Sequence, residues 1–160
     1  MSIINRLYGS LVQAGNHLQS PFLLIIRLIW GSELFQAGSG KLFHIDKPIG
    51  YFTQLGIPFP VENAYLVACT ETFGGVLLAL GLCSRLTAIP LIINFIVAYI
   101  TTEQEALKNL LHFDFDDFIG ALPFTYLLAA IIALVFGPGV YSVDYLINRW
   151  LKMEWKGPGV

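Results

Sequence analysis

The stretch that decides the fold is VENAYLVACTETFGGVLLALGLCSRLTAIPLIINFIVAYITT, residues 61–102. Two apolar runs, 61–82 and 86–102, are separated by the short sequence Cys83-Ser84-Arg85. Each run approaches the length that a helix needs to cross a hydrocarbon layer of about 30 Å. Pro90 is tolerated in such a helix because neighbouring groups can satisfy the backbone carbonyl that it leaves free. The stretch therefore predicts a close hairpin of two transmembrane helices.

Outward from this hairpin, residues 22–42 and 118–136 are also mostly apolar and predict two more spanning helices. Residues 1–20 place apolar side chains at steps of three and four, which predicts an amphipathic helix lying in the membrane surface. Pro21 suits the first turn of a new helix and separates the two. The expected fold is an all-α bundle of four transmembrane helices preceded by an N-terminal interfacial helix.

The connections between these runs are polar or rich in turn residues. Residues 43–60 contain three prolines and two glycines, which predicts a loop. Residues 103–117 are acidic and are expected to lie outside the hydrocarbon. Residues 140–160 carry Trp150, Trp155 and basic side chains, which predicts an interfacial anchor after the last span.

Composition supports a membrane protein, since 56% of the 160 residues are hydrophobic and 12% are charged. The net charge of −2 and the absence of a basic cluster argue against nucleic-acid binding. Cys69 and Cys83 are too far apart along one predicted helix to form a disulfide. The cysteines and histidines lack metal-ligand spacing, so no metal site is expected. No pattern of a catalytic nucleophile and base stands out, and no cofactor motif is evident.

Basic side chains predict the orientation in the membrane. Five lie on one predicted side, namely Arg6, Arg85, Arg149, Lys152 and Lys156. Three lie on the other, namely Lys41, Lys47 and Lys108. Because basic residues are enriched on the cytoplasmic side, we expect both termini in the cytoplasm.

Polar side chains inside the predicted spans carry most of the functional information. A charged side chain at the bilayer centre costs roughly 2.5–3.5 kcal/mol, so Arg27, Glu33 and Glu71 need partners or a wet cavity. Together with Gln36 and Asn94 they form a candidate polar pocket that holds the head group of a small amphipathic ligand or relays a proton. In the alternative interpretation, Asn94 holds helices together and bonds the backbone carbonyl that Pro90 leaves free.

Small residues indicate how the first two spans pack. Gly31 and Gly38 lie on one face of the first span with Arg27, and Gly75 lies on one face of the second span with Glu71 and beside Gly74. Glycines allow two helix backbones to approach closely. We therefore expect these spans to pack together with Arg27 and Glu71 as a buried ion pair, which serves either the helix register or a functional site.

The acidic connection contains Asp114, Asp116, Asp117 and His112. Its simplest interpretation is a solvated loop whose acids favour the N-terminus of the following helix. A divalent-ion site is the alternative.

Four stretches resemble the DoxX family of small four-helix bacterial membrane proteins, which includes DoxD-like members. They are RLIWGSELFQAGSGKL (27–42), GIPFP (56–60), ETFGGVLLALGLCSRLTAIP (71–90) and GPGVYSVD (137–144). The family positions carried over to this chain are Arg27, Gly31, Gly38, Lys41, Glu71, Gly75, Gly81 and Arg85. For some relatives the resemblance implies association with redox systems, either quinone-linked or concerned with thiol and oxidative-stress defence.

Two hypotheses for function follow. The first is a membrane subunit of a redox-linked complex, an oxidoreductase partner that contacts quinone between the first two spans. The second is a carrier of small molecules or lipids, or an assembly scaffold, without electron transfer. The expected partners are the lipid bilayer, redox proteins and further copies of the chain.

Overall fold

The computed structural model describes residues 3–111 and 113–151, with the side chains of 8–110 and 113–151. All regular structure in these ranges is helical, which confirms the all-α class. The helices are α1 (Ile3–Phe43), α2 (Asp46–Gln54), α3 (Pro60–Leu80), α4 (Ser84–Thr102), α5 (Gln104–Leu111), α6 (Asp116–Gly120), α7 (Leu122–Phe136) and α8 (Val143–Trp150).

The central hairpin is formed by α3 and α4, close to the predicted bounds. Gly81 ends α3 with φ +68°, and Cys83 precedes α4 with φ +49°. These two left-handed residues reverse the chain within three positions. Pro90 lies inside α4, which continues through it.

Three helices of the described chain are long and apolar enough to cross a membrane: α1 from Tyr8, α3 and α4. Large apolar side chains cover their outer surfaces, for example Phe73 on α3 and Ile93 on α4, which are 65% and 57% exposed. Helix α7 is apolar but has 15 residues, or roughly 22 Å, which is less than the hydrocarbon thickness. Of the four predicted spans, three therefore reach spanning length in the described chain.

The predicted break at Pro21 is wrong, because α1 runs unbroken from Ile3 to Phe43 with Pro21 inside it. Proline removes one backbone hydrogen bond, and this loss is local enough for a long helix to absorb. Residues 3–20 are thus the first part of α1 and not a separate surface helix. From Tyr8 to Leu18 every described side chain of α1 is exposed.

Two further boundaries differ from the predictions. The predicted loop 43–60 contains α2, because Pro48 falls in its first turn, where a missing N–H costs nothing. The predicted helix 118–136 is divided at Ala121, whose extended backbone (ψ +140°) precedes a new helix with Pro123 in its first turn. Pro123 has no N–H to donate to the carbonyl four residues earlier and its ring clashes with that carbonyl, so α6 does not continue through it, whereas the first turn of a new helix accepts it.

The core lies where α4 and α7 pack together, with contributions from α1 and α3. Its buried members are Leu34, Leu78, Ala88, Leu91, Phe95, Ala130 and Ala133. Beyond α7, the predicted anchor at 140–160 contains α8, which exposes Trp150. Trp155, Lys152 and Lys156 lie outside the described residues.

Candidate functional site

Small residues set the register between α1 and α3, which run antiparallel. A Cβ added to Gly31 would lie 2.8 Å from Gly75 O, and one added to Gly75 would lie 2.5 Å from Phe35 N. Two turns along α1 from Gly31, a Cβ on Gly38 would meet the backbone of Ala68 and Thr72. The two backbones therefore touch over at least two turns, with no room for larger residues.

Gly74 belongs to a different interface. A Cβ there would lie 2.9 Å from a methyl carbon of Leu91 on α4. Gly74 thus packs against α4, and Gly75 packs against α1.

The register brings Lys41 near the C-terminal end of α1 to Glu71 on α3. Lys41 Nζ donates to both carboxylate oxygens of Glu71 at 2.6 Å. The Glu71 side chain is 6% exposed and that of Lys41 is 37% exposed. Asn94 on α4 also donates from Nδ2 to Glu71 Oε1, at 3.4 Å. Glu71 is therefore a buried carboxylate held between an ammonium group and an amide.

The expected ion pair between Arg27 and Glu71 is wrong. In the antiparallel register Glu71 lies level with the region just after Gly38, about twelve residues and roughly 18 Å from Arg27 along α1. Two side chains separated by this distance along a pair of packed helices cannot form an ion pair. The observed partner of Glu71 is Lys41, which lies on the same helix as Arg27 and is level with Glu71 in this register.

The expected bond between Asn94 and the backbone near Pro90 is also wrong. Pro90 removes the donor to the carbonyl four residues before it, at Leu86, which is two turns from Asn94. The Asn94 amide instead reaches Glu71 on the neighbouring helix. Asn94 therefore links α3 to α4 at the position of the ion pair.

A cavity of about 880 Å³ opens beside this cluster, between α1, α2, α3, α4 and α7. Its walls are mostly apolar and aromatic, including Tyr51, Phe52 and Phe95. The polar groups at its inner wall include Lys41, Glu71 and Asn94, and Asn63 and Thr70 on α3 also line it. Glu103 and Lys47 stand at the end of the cavity formed by the helix connections.

Glu33 and Gln36 do not line this cavity, because both lie on the exposed outer face of α1. Glu33 Oε2 accepts a hydrogen bond from Tyr126 Oη at 3.3 Å. The ring of Tyr126 stacks on Phe95 at 5.4 Å between centroids and lines the cavity on its other side. Of the five predicted pocket residues, the structure brings together only Glu71 and Asn94.

Arg27 occupies a second polar cluster at the opposite end of the bundle. It is 1% exposed, and its Nη2 donates to Tyr141 O at 2.6 Å. The guanidinium lies against Gly81, in the space that a Cβ there would fill. Arg27 is therefore buried where α1 meets the end of α3 and the segment after α7.

Asp144 completes this cluster and was not singled out by the sequence. Its carboxylate accepts hydrogen bonds from Cys83 N (2.8 Å) and Ser84 N (3.1 Å), which caps the N-terminus of α4. Its own N–H donates to Gly81 O at 3.1 Å, and its charge attracts Arg27. We call Tyr141 and Asp144 the C-terminal clamp, because they tie the chain after α7 to α1 and to the hairpin turn.

The acidic connection forms local contacts. Asn109 Nδ2 donates to Asp117 at 2.7 Å, and Asp114 accepts from Asp116 N at 3.3 Å. Among the described residues no group of three or more His, Cys, Asp or Glu side chains is arranged to hold a metal ion. His112, which the sequence placed with these acids, lies outside them.

The fold and these two clusters define a small helical membrane protein with polar groups inside its bundle. A model of the DoxX family matches residues 22–104, from α1 just after Pro21 to the start of α5. The chain belongs to the DoxX family. No solved structure matches it.

Two curated relatives are similar over most of the chain. One is the uncharacterized membrane protein Rv3486 of Mycobacterium tuberculosis, 30% identical over 135 residues, which cover 81% of this chain and 83% of that protein. The other is CatD of Bacillus subtilis, which is named as a candidate oxidoreductase. It is 31% identical over 105 residues, which cover 66% of this chain and 69% of CatD.

Proposed function

We propose that this protein is a membrane subunit of a redox-linked complex and that the cavity beside Glu71 binds a quinone. The observation that carries the proposal is the combination of an apolar cavity of about 880 Å³ with one polar cluster, Lys41, Glu71 and Asn94, at its inner wall. Cavities between bundle helices with few, well-placed polar groups are a common form of ligand site.

The residues present suit a quinone. Its ring carbonyls accept hydrogen bonds, and Lys41 Nζ and Asn94 Nδ2 are donors at the cavity wall. Phe95 and Tyr126 offer aromatic surface for the ring, and exposed apolar side chains such as Ile93 lead to the lipid-facing surface, where an isoprenoid tail fits. A bound quinone supplies two-electron redox chemistry. Glu71 is the group placed to hold or exchange a proton, at its carboxylate oxygens.

The name of one relative supports the redox part of the proposal, since CatD is named as a candidate oxidoreductase. The chain would act with a soluble redox partner rather than alone. The competing function is a carrier of lipids or small molecules, or an assembly scaffold. It would use the same cavity without electron transfer.

We also propose four membrane crossings in a bacterial inner membrane, with both termini in the cytoplasm. Helices α6 and α7 together follow α4 from Tyr99 to Arg85, because Phe118 O in α6 accepts from Tyr99 Oη and a Cβ on Gly137, just after α7, would lie 3.4 Å from Arg85 Nε. The 15 residues of α7 form most of this segment. Local thinning of the bilayer accommodates a short span at modest cost.

The test is to purify the full-length protein in native lipid, extract it and identify bound molecules by mass spectrometry. We expect quinone in about equimolar amount, and much less in Ala98→Trp, which fills the cavity. Val76→Trp on the lipid-facing side of α3 is the matched control and should retain quinone. If the unsubstituted protein yields a bound phospholipid and Ala98→Trp does not, the carrier function is favoured. No bound molecule, or equal loss in both variants, would reject the cavity as the site.

A further inference from the structure

The face of α1 turned away from α3 carries a seven-residue repeat. Residues at one position of the repeat are Tyr8, Gly15, Phe22, Ile29, Gln36 and Phe43, and those at a second position are Leu11, Leu18, Ile25, Ser32 and Ser39. We call this set the heptad seam. All its members are exposed except Ser39, which is half-buried. Seven of the eleven members are apolar or aromatic, and Gly15, Ser32, Gln36 and Ser39 are small or polar, so the set has the spacing of a coiled-coil interface with small and polar residues at some positions.

Polar side chains lie in and beside the heptad seam within the membrane-spanning part of α1. Gln36 belongs to the seam, and Glu33 lies beside it, both exposed. Tyr126 donates to one oxygen of Glu33, and a carboxylate can accept further hydrogen bonds. Exposing an amide and a carboxylate to hydrocarbon is costly, so this face needs cover by groups that can hydrogen-bond. Lipid chains cannot provide that.

The other end of the seam also lacks cover. Helix α1 has 41 residues, or about 62 Å, roughly twice the hydrocarbon thickness. Its side chains from Tyr8 to Leu18 are all exposed. An isolated helical extension of this length is only marginally stable in water. Association along Leu11 and Leu18 would stabilise it.

We propose that the heptad seam binds the same seam of a second copy of this chain, in a parallel two-stranded coiled coil along the bilayer normal. Two copies share one membrane topology, so their α1 helices are parallel and each seam position faces its own counterpart. Gln36 then faces Gln36 of the second copy, and an amide carries both the donors and the acceptors that this contact needs. A single polar residue at such a position fixes register and favours a defined oligomer.

The neighbouring residues fit the same arrangement. Ser32 and Ser39 are small, which allows the helices to approach closely in lipid. Glu33 lies three residues before Gln36, at the edge of the seam, where its carboxylate can accept from an amide across the interface. The seam lies on the side of α1 away from Gly31 and Gly75. The proposal therefore does not depend on the quinone site.

The test is cysteine cross-linking in native membranes, with Cys69 and Cys83 first replaced by serine. We expect Ser32→Cys and Leu18→Cys to form disulfide-linked dimers on mild oxidation. Phe73→Cys is the matched control, because this residue is exposed on α3 at about the depth of Gln36, and it should stay monomeric. In detergent, Gln36→Leu should raise the dimer dissociation constant roughly tenfold, while the helical circular dichroism signal is unchanged.

Three results would overturn the proposal: no self-cross-linking at either seam position, cross-linking at Phe73→Cys as strong as at Ser32→Cys, or cross-linking of Ser32→Cys only to a different protein. If Gln36→Leu fails to fold, the cross-linking results still decide. Loss of quinone binding with intact dimers would leave this inference standing.

Discussion

Lys41 places its ammonium nitrogen 2.6 Å from both carboxylate oxygens of Glu71, across the closest approach of two helix backbones. The pair closes the inner wall of the cavity, and Asn94 adds a third polar group from α4. Removing one partner of a buried ion pair leaves the other charge without compensation, which destabilises the folded protein.

The first prediction is that Lys41 and Glu71 are coupled. Lys41→Met leaves a buried carboxylate without its cation and should destabilise the protein by about 2–4 kcal/mol. Glu71→Gln should cost less, because the remaining ammonium is 37% exposed and can reach water. The double variant should recover much of the loss. Thermal unfolding in detergent measures all three.

The control for these Lys41 and Glu71 variants is Lys47→Met, which removes an exposed cation that also lines the cavity. It should leave the melting temperature nearly unchanged. Simple additivity of the two single substitutions at Lys41 and Glu71 would mean that the groups do not interact in the membrane.

The second prediction concerns Gly81, whose missing side chain makes room for the Arg27 guanidinium. Gly81→Ala should cost about 1–3 kcal/mol more than Gly56→Ala. Gly56 has almost the same backbone angle, φ +69° against +68°, but open space around it. Both variants share the penalty of a left-handed alanine, about 1 kcal/mol, so their difference isolates the contact with Arg27. Equal melting temperatures would contradict that contact.

The third prediction concerns the interface between α1 and α3. Gly75→Ala would place a methyl group 2.5 Å from Phe35 N and should separate the helices, at a cost of about 1–3 kcal/mol. Gly50→Ala, inside α2 with no atom within 4 Å, should instead be neutral or stabilise by up to about 1 kcal/mol. Unfolding in detergent compares the two. If Gly75→Ala leaves the melting temperature unchanged, the backbones of α1 and α3 lie farther apart than described above.

The fourth prediction is the orientation. A membrane-impermeant maleimide should leave Cys83, at the exposed hairpin turn, unlabelled in intact spheroplasts, and should label Asp46→Cys at the opposite end. In inside-out vesicles the pattern should reverse. Labelling of Cys83 from outside would invert the proposed topology without affecting the fold.

Much of the fold follows from apolar length alone. Residues 61–102 predict the hairpin, and the observed bounds of α3 and α4 differ by two residues or fewer. Proline caused the errors elsewhere. Its effect depends on position: Pro48 in the first turn of a helix costs nothing, Pro21 costs one hydrogen bond within a long helix, and Pro123 begins a new helix. The residue type alone does not distinguish these cases.

The site was less predictable, because it depends on the register between helices. The sequence identified Glu71 and Asn94 as buried polar groups but assigned Arg27 as the partner. The contact between Gly31 and Gly75 fixes the offset of α1 against α3, and this offset places Lys41 beside Glu71. Asp144 had no local signal of its role, since its partners at the hairpin turn are about sixty residues earlier in the chain.

The C-terminal clamp has a consequence for biosynthesis. Until residues 141–144 leave the ribosome, the N-terminus of α4 lacks its cap and Arg27 lacks both the carbonyl of Tyr141 and the charge of Asp144. An uncompensated arginine inside a bundle is unfavourable, so we expect the earlier helices to pack fully only once these groups are in place. Final packing therefore awaits nearly the whole chain. A truncated product that stops before Asp144 would lack both the cap on α4 and the charge beside Arg27.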